Sequence, residues 1–532
     1  MKLGQKRPLK GGKICYYLTK DINEFNKVYL SLISMLFIFF CGLISFAVTN
    51  SFAWFTFIET SNENINVTVC VDSFIPSASR NDANEPVLSE NMIPVYYDEC
   101  AKTWKKADIT NEHYIYRWYN YDKKIWANSI TVKSEKRDAY KNAGLGTEID
   151  LNDVLTVQVW IPRYKYKVWN YNLEGTINSV EQEIEITFEN EKKATGEIKC
   201  SDSLSRASGS PSEICKISNT NCTNELCNGK TYTHPAFTFG EQELTGFWTS
   251  KFELSINQTC TPASNSAVGS GCNLNNVTTY AIPSVPSWRG AMVGTYDHVI
   301  RKMNDNDNIY GFTDNDDIHM IKNREWGALA YLSHSKYGKN SMIEVNRNSE
   351  YKTGCGPVSL GSTTSGACNK YETELGQSAS TTGNIYGVYD MSGGSYEYTM
   401  ANMVLPTDLT KKFTGFESPA NYSGFSGTLA AGSTITGSYE YPDEKYYDRY
   451  SYVGYKTTIK NSKLGDAIRE ISKNASINKT WYDSDLYTIG ESYPWSKRGG
   501  YQSMAQAGIF TSDHSGGASR ANYTTRFIIS IE

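Results

Sequence analysis

The chain has 532 residues, a net charge of −5 at neutral pH, and 20% charged against 39% hydrophobic residues. That balance has no global basic character and removes nucleic acid from the expected partners. Tyr (38), Trp (11) and Gly (41) are abundant. Aromatic side chains favour strands, so a chain of this length is expected to form two or three β-leaning domains.

Residues 1–27 carry Lys2, Lys6, Arg7, Lys10, Lys13, Lys20 and Lys27 against only Asp21 and Glu24, and no charge follows from Val28 to Ile58. Tyr29 to Val48 is uncharged and apolar apart from its serines, and a spanning helix needs roughly 20 such residues. The pattern predicts one transmembrane helix over residues 28–50, with the basic segment 1–27 in the cytoplasm and the remainder outside. The membrane is then a partner through that helix. Ser51, Phe52 and Ala53 form a small-x-small site, so cleavage of a signal peptide and secretion is the alternative. Both readings place the bulk of the chain outside the cell. Cysteine usage agrees: beyond Cys15 and Cys41, the cysteines from Cys70 to Cys368 are even in number, as expected of an exported, disulfide-bonded chain. The simplest pairing joins neighbours: 200–215, 222–227, 260–272 and 355–368.

Ile65, Val67, Val69 and Val71 alternate as in a strand, and a polar linker over 76–92 follows. Residues 93–135 alternate short aromatic strands with turns, so residues 51–150 read as a small β-rich stalk module. In 155–169, Tyr164, Tyr166 and Val168 alternate with Lys165 and Lys167, the mark of a half-buried strand. The polar, Cys-bearing stretch 175–230 reads as an insertion, and 237–255 as a hairpin. Two helices are expected next. One spans 287–304, capped by Ser287; the other spans 323–335, capped by Asn323, with Trp326, Leu329, Ala330 and Leu332 on its apolar face.

The C-terminal half carries an ordered series: GFWTSKFELS, PSWRGAMVGTYDHVIRKMN, IHMIKNREWGALAYLSHS, GNIYGVYDMSGGSYEYTM and RGGYQSMAQAGIFTSDHSGGASRANYTTRF. This series resembles the formylglycine-generating-enzyme-like family, a branch of the C-type-lectin-like fold. The most specific part runs from Tyr389-Asp390-Met391 to Tyr396-Glu397-Tyr398. Gly394 and Ser395 depart from the usual Asn and apolar pair, and Thr525-Arg526-Phe527 inverts the usual Gly-Phe-Arg order. The resemblance covers about 237–532 and extends the domain to 151–532. It implies an α+β, C-type-lectin-like C-terminal domain behind the β-rich module and the transmembrane helix. It further implies that Trp326, Tyr389, Tyr396, Tyr398 and Trp495 build the core.

Enzymes of that family oxidise a cysteine with two C-terminal cysteines, and residues 369–532 contain none. Thiol-based oxidation needs those thiolates. His113, His234, His298, His319, His334 and His514 show no His-x3-His-x-Glu pattern for iron. Asp513-His514-Ser515 are neighbours in sequence, which is not how a triad is assembled. Glu397, flanked by two tyrosines, reads as a structural acid. Asp305, Asp307, Asp314, Asp316 and Asp317 offer oxygen ligands, but the Gly and terminal Glu of a calcium loop are out of place. The run reads as a solvated acidic loop, with calcium as the alternative and no other cofactor expected.

The same fold serves receptor-binding proteins, including variable proteins diversified by retroelements, and the stretch 501–523 has their appearance. Tyr501, Ser503, Gln506, Asp513, His514, Ser515, Arg520, Asn522 and Tyr523 are therefore the expected ligand-binding residues, of the types that make adaptable contacts. The sequence thus reads as a cell-surface binding or adhesion protein for a protein or glycan ligand, and not as an enzyme. A divergent family enzyme and a structural prophage or envelope protein are the alternatives.

Overall fold

The computed structural model describes residues 83–110, 115–170, 180–202, 213–256, 277–291, 293–403, 443–450, 459, 462–474, 477–489, 495–514 and 523–531, together with four short strands before residue 72. The chain divides into two units: residues 1–79 with 99–101, and residues 80–98 with 102–532.

In the first unit the strands Arg7–Pro8, Ile14–Leu18, Asn66–Val71 and Ala53–Ile58 lie in that order in one sheet. Cys15 and Trp54 flank Cys70 in its register. This pairing overturns the transmembrane helix. Ile14–Leu18 and Ala53–Ile58 bracket the apolar segment, and a helix crossing about 30 Å of hydrocarbon would hold them on opposite sides. An open sheet cannot bridge that gap. Residues 28–50 themselves lie outside the described residues, and among the described residues no helix is long and apolar enough to cross a membrane.

The second unit is β-rich with few, short helices. Its principal strands are β1 (Ile93–Asp98), β2 (Thr103–Lys106), β3 (Asn128–Val132), β4 (Val154–Pro162), β5 (Gly246–Ser250), β6 (Ile318–Met320), β7 (Tyr396–Thr399), β8 (Ser496–Arg498), β9 (Ser512–Asp513), β10 (Tyr523–Thr524) and β11 (Phe527–Ile529). Seven form one sheet in the order β6-β11-β5-β4-β3-β1-β2. β4 (VLTVQVWIP) is buried along its whole length, as a central strand must be when both faces are covered. β2 (TWKK) sits at one edge, where its lysines reach solvent, a common way to blunt an edge strand. β1 to β3 therefore belong to the main sheet, with Ser129 opposite Gln158. The separate stalk expected over 51–150 does not hold for this stretch. Its alternation is that of strands, but the strand it pairs with is β4, beyond the expected module.

Tyr164, Tyr166 and Val168 are buried and Lys165 and Lys167 half-buried, as the alternation requires. The 175–230 insertion builds its own sheet from Ile198–Asp202, Glu213–Ile217 and Thr220–Asn221, held by the disulfides Cys200–Cys215 and Cys222–Cys227. Cys355–Cys368 is also formed, and Cys260 and Cys272 lie outside the described residues. Within 237–255 a short hairpin pairs Thr238–Phe239 with Gln242–Glu243, and β5 follows it.

Helix α1 spans Val293–Arg301, shorter than expected, and a 3-10 turn continues it over Lys302–Asn304. Ser287 does not cap it; its hydroxyl donates to the Tyr351 carbonyl at 3.0 Å. Helix α2 spans Asn323–Ser333. Its free N–H groups are met by Glu325, which accepts from Lys322 N at 2.7 Å, and by Asp448, which accepts from Arg324 N at 2.7 Å. Asn323 is the first helical residue instead of the cap, and its amide donates to Tyr450 Oη at 2.6 Å. Gly327 on α2 is obligatory, because a Cβ there would collide with the Gly465 carbonyl oxygen.

Candidate functional site

A second sheet, in the order β9-β8-β7-β10, carries the C-terminal motif residues, and beneath it lies a buried ionic frame. Arg526 grips Glu397 with both arms of its guanidinium, Nε–Oε2 being 2.7 Å, and donates to the carbonyls of Ser250 and Tyr389 at 3.0 Å each. Asp390 accepts from Asn346 Nδ2 at 2.6 Å and from Gly354 N at 2.8 Å. Glu253 accepts from Ser395 N at 2.8 Å. Gly394 lets Glu253 approach: its φ is +66° and a Cβ would lie 2.6 Å from Glu253 Oε1. Burial pushes all three carboxyls above their ordinary values, and Arg526 pulls Glu397 back. Arg526, Glu397, Asp390 and Glu253 are each at most 1% exposed, so this frame has no surface to offer a substrate. Glu397 is a structural acid, joining β7 to the end of the chain.

Above the frame, Lys497 on β8 is enclosed. Its ammonium lies 4.0 Å from the Tyr396 ring centre and 4.5 Å from that of Tyr523, and 3.1 Å from Asp513 Oδ2. It donates to Tyr523 Oη at 2.5 Å. Tyr396 Oη donates to the same Asp513 oxygen at 3.2 Å. This cluster ties β7, β8, β9 and β10 together through cation–π and charge-assisted contacts. The loop from β8 to β9 leaves this base. It is fixed again from below where Trp326 Nε1 donates to the Ile509 carbonyl at 2.7 Å.

The loop divides by burial. Tyr501 is 37% exposed, and Ser503 and Gln506 are exposed beside it. Met504 is buried, its sulfur 3.0 Å from Tyr396 Oη. The Tyr501 ring packs 5.5 Å from that of Tyr396. Asp513 and His514 are half-buried at the loop's far end, with the His514 ring 5.8 Å from that of Tyr487. Burial holds His514 below the ordinary histidine value.

Of the expected binding residues, Tyr501, Ser503, Gln506, Asp513 and His514 are brought to one loop and its end. Tyr523 departs from the expectation: it is 8% exposed and wedged against Tyr396 and Tyr398, with ring centres 5.3 and 5.0 Å away. It supports the face from below. Ser515, Arg520 and Asn522 lie outside the described residues. Sequence reasoning missed Lys497 and Tyr487. Lys497 alternates with Ser496 and Arg498 on a short strand, which reads as a solvent-facing position until the tyrosines of β7 and β10 are placed around it.

The other chemical candidates are accounted for by local contacts. Asp316 accepts from Ser89 Oγ at 2.9 Å and Thr313 N at 2.6 Å. Asp317 takes Lys445 and, at 2.6 Å, Tyr446 Oη. Asp305, Asp307 and Asp314 are exposed. Among the described residues Cys200, Glu213 and Cys215 are close enough to share a metal, but the disulfide occupies both sulfurs. No protein-family model matches this chain, and no curated protein matches it.

Proposed function

We propose that this chain is an exported, disulfide-bonded binding protein. In this reading its C-terminal half is a non-catalytic relative of the formylglycine-generating-enzyme-like group with a C-type-lectin-like fold. It presents the loop 501–514 to a protein or glycan ligand, in binding or adhesion. The observation that carries this reading is the division within the loop. Tyr501, Ser503 and Gln506 stand exposed on a segment whose base is fixed by Lys497, Tyr396, Asp513 and Tyr523. A rigid base lowers the ordering cost of binding, and Tyr with small polar residues supplies adaptable contact. The disulfides Cys200–Cys215, Cys222–Cys227 and Cys355–Cys368 favour an oxidising compartment. The absence of cysteine from 369–532 supports a binding role over thiol oxidation.

The test is a screen of the purified chain against glycan and surface-protein arrays, followed by Tyr501→Ala, Gln506→Ala and His514→Ala together. The triple variant should lose the recovered binding with its melting temperature unchanged. Retained binding would move the site elsewhere. Sequencing the gene from many isolates tests the diversified form of the proposal, which expects variation concentrated at codons 501–523.

A further inference from the structure

His334 caps the C-terminus of α2 and is 2% exposed. Several segments remote in sequence converge on its ring. From the start of the insertion, Glu181 Oε1 lies 3.5 Å from Nε2. From the segment after the hairpin Ser472–Thr480, Tyr482 Oη lies 3.3 Å from both ring nitrogens and donates to Glu181. The ring also meets the backbone carbonyls of Gln182 and Ser341. Phe510, from the loop that carries Tyr501, packs 5.5 Å away, and Trp481 5.8 Å away. The His334 carbonyl accepts from Ile184 N at 3.3 Å. Among the described residues Glu181 and Tyr482 are the titratable groups facing the imidazole, beside the rings of Trp481 and Phe510 and backbone carbonyls. Tyr482 Oη is equally distant from both nitrogens and so lies on the lone-pair axis of neither.

We propose that this junction is an acid-responsive latch, in which protonation of His334 releases residues 180–184 and 481–482 from the end of α2. The closed junction suits a neutral imidazole. Burial opposes the cation, and Glu181, whose side chain is 45% exposed, is too hydrated to offset that cost in full. Accordingly burial holds His334 below its ordinary value, with Glu181 acting the other way. A group that prefers to be neutral when enclosed binds its proton more readily once opened. Closure is therefore complete at high pH and weakens as pH falls through about 6.5, the free histidine value.

Hydrogen exchange on the full chain, corrected for the intrinsic pH dependence of exchange, reads this directly in peptides covering 180–190 and 477–489. Protection of both should fall between pH 8 and pH 5, by about tenfold for each pH unit by which the closed junction holds the histidine down. His334→Gln should make protection independent of pH. Glu181→Gln, a substitution at a half-exposed side chain that leaves the core intact, should deepen the loss at pH 5 and leave its onset near 6.5, because it removes a charge that favours the cation in the closed junction beside the Gln182 and Ser341 carbonyls. Equal protection of the wild type at both pH values would overturn the latch. So would a pH-dependent loss that survives in His334→Gln, or a loss at pH 5 no deeper in Glu181→Gln than in the wild type.

Discussion

Two regions of the C-terminal half use the same kinds of residue to opposite ends. Around Arg526, the acids Glu253, Asp390 and Glu397 are enclosed and their lone pairs are met by N–H donors. Around Tyr501, tyrosine, amide and hydroxyl side chains face water. Residue type does not separate a frame from a face. What separates them is whether neighbouring strands close over the side chain. Buried polar groups demand partners and so fix one geometry, whereas exposed ones remain free to change partner. Sensitivity to mutation therefore belongs to the frame and tolerance to the face.

The largest break should come from Arg526→Met. It removes the cation on which Glu397 depends and leaves three buried carboxyls with no positive partner among those contacts. Loss of one member of a buried pair costs about 3–5 kcal/mol. Denaturant unfolding should show a loss of that order, and a variant melting like the wild type would mean that the frame is not what joins β7 to β11.

Trp495→Ala and Tyr523→Ala sharpen the boundary. Both residues are buried, at 1% and 8% exposure, and truncating a large buried aromatic costs about 3–5 kcal/mol. Tyr523→Ala should sit at the lower end, since it is the less deeply buried of the two. If it melts like the wild type, Tyr523 belongs with the exposed residues after all.

Acid and base should reveal the frame as well. Burial lifts Glu470 to about 7, although Tyr166, Tyr331 and Gly465 N all donate to it. Asp390 and Glu397 are raised too. Groups of this kind bind protons more tightly folded than unfolded, so stability falls as pH rises from about 4.5 through 7. Glu325 acts with the opposite sign. Burial raises it, but Lys322 and His319 outweigh burial and hold it at about 2, so its stabilisation is lost as pH falls from about 4.5 toward 2. His234, His298, His334 and His514 are held below the ordinary histidine value by burial and oppose the trend of the raised carboxyls as pH falls through about 6.5, so the carboxyls are read by following unfolding of the wild type and of Glu470→Gln from pH 3 to pH 8. The carboxyl contribution should decline toward pH 8 by about 1.4 kcal/mol for each pH unit by which folding raises a carboxyl. Glu470→Gln should flatten that decline, and a Glu470→Gln profile parallel to that of the wild type would mean that Glu470 is not raised.

Much of this division is legible in the sequence. Period-two alternation marks Tyr164, Tyr166 and Val168 as inward-facing, and the aromatic Tyr396-Glu397-Tyr398 strand marks the core. Pairing cysteines with their neighbours in polar stretches holds at 200–215, 222–227 and 355–368. The features that escape it depend on long-range partners. The strands within 93–132 look like an independent module until β3 is set against β4. The apolar run 28–50 satisfies the length rule for a span, and only the pairing of Ile14–Leu18 and Ala53–Ile58 with the same strand removes it. Lys497 looks like a surface lysine because its enclosing rings come from positions 396 and 523. Tyr523 looks exposed for the same reason.

The smallest expected effect is at the face itself. Tyr501 is 37% exposed, and its ring rests on that of Tyr396, at 5.5 Å between centres. Removing it leaves no enclosed cavity, because the far side of the ring already meets water, and it leaves no buried donor without a partner. Surface substitutions of this kind usually stay within about 0.5 kcal/mol. Tyr501→Ala should therefore melt within about two degrees of the wild type, and Gln506→Ala should be indistinguishable from it. The same two substitutions should remove ligand capture, because exposed aromatic anchors dominate binding at such surfaces. Melting and capture have to be read together. Unchanged melting with lost capture places Tyr501 in the face; a marked fall in melting would show that the loop is packed as tightly as the frame below it, and the contrast between the two regions would disappear.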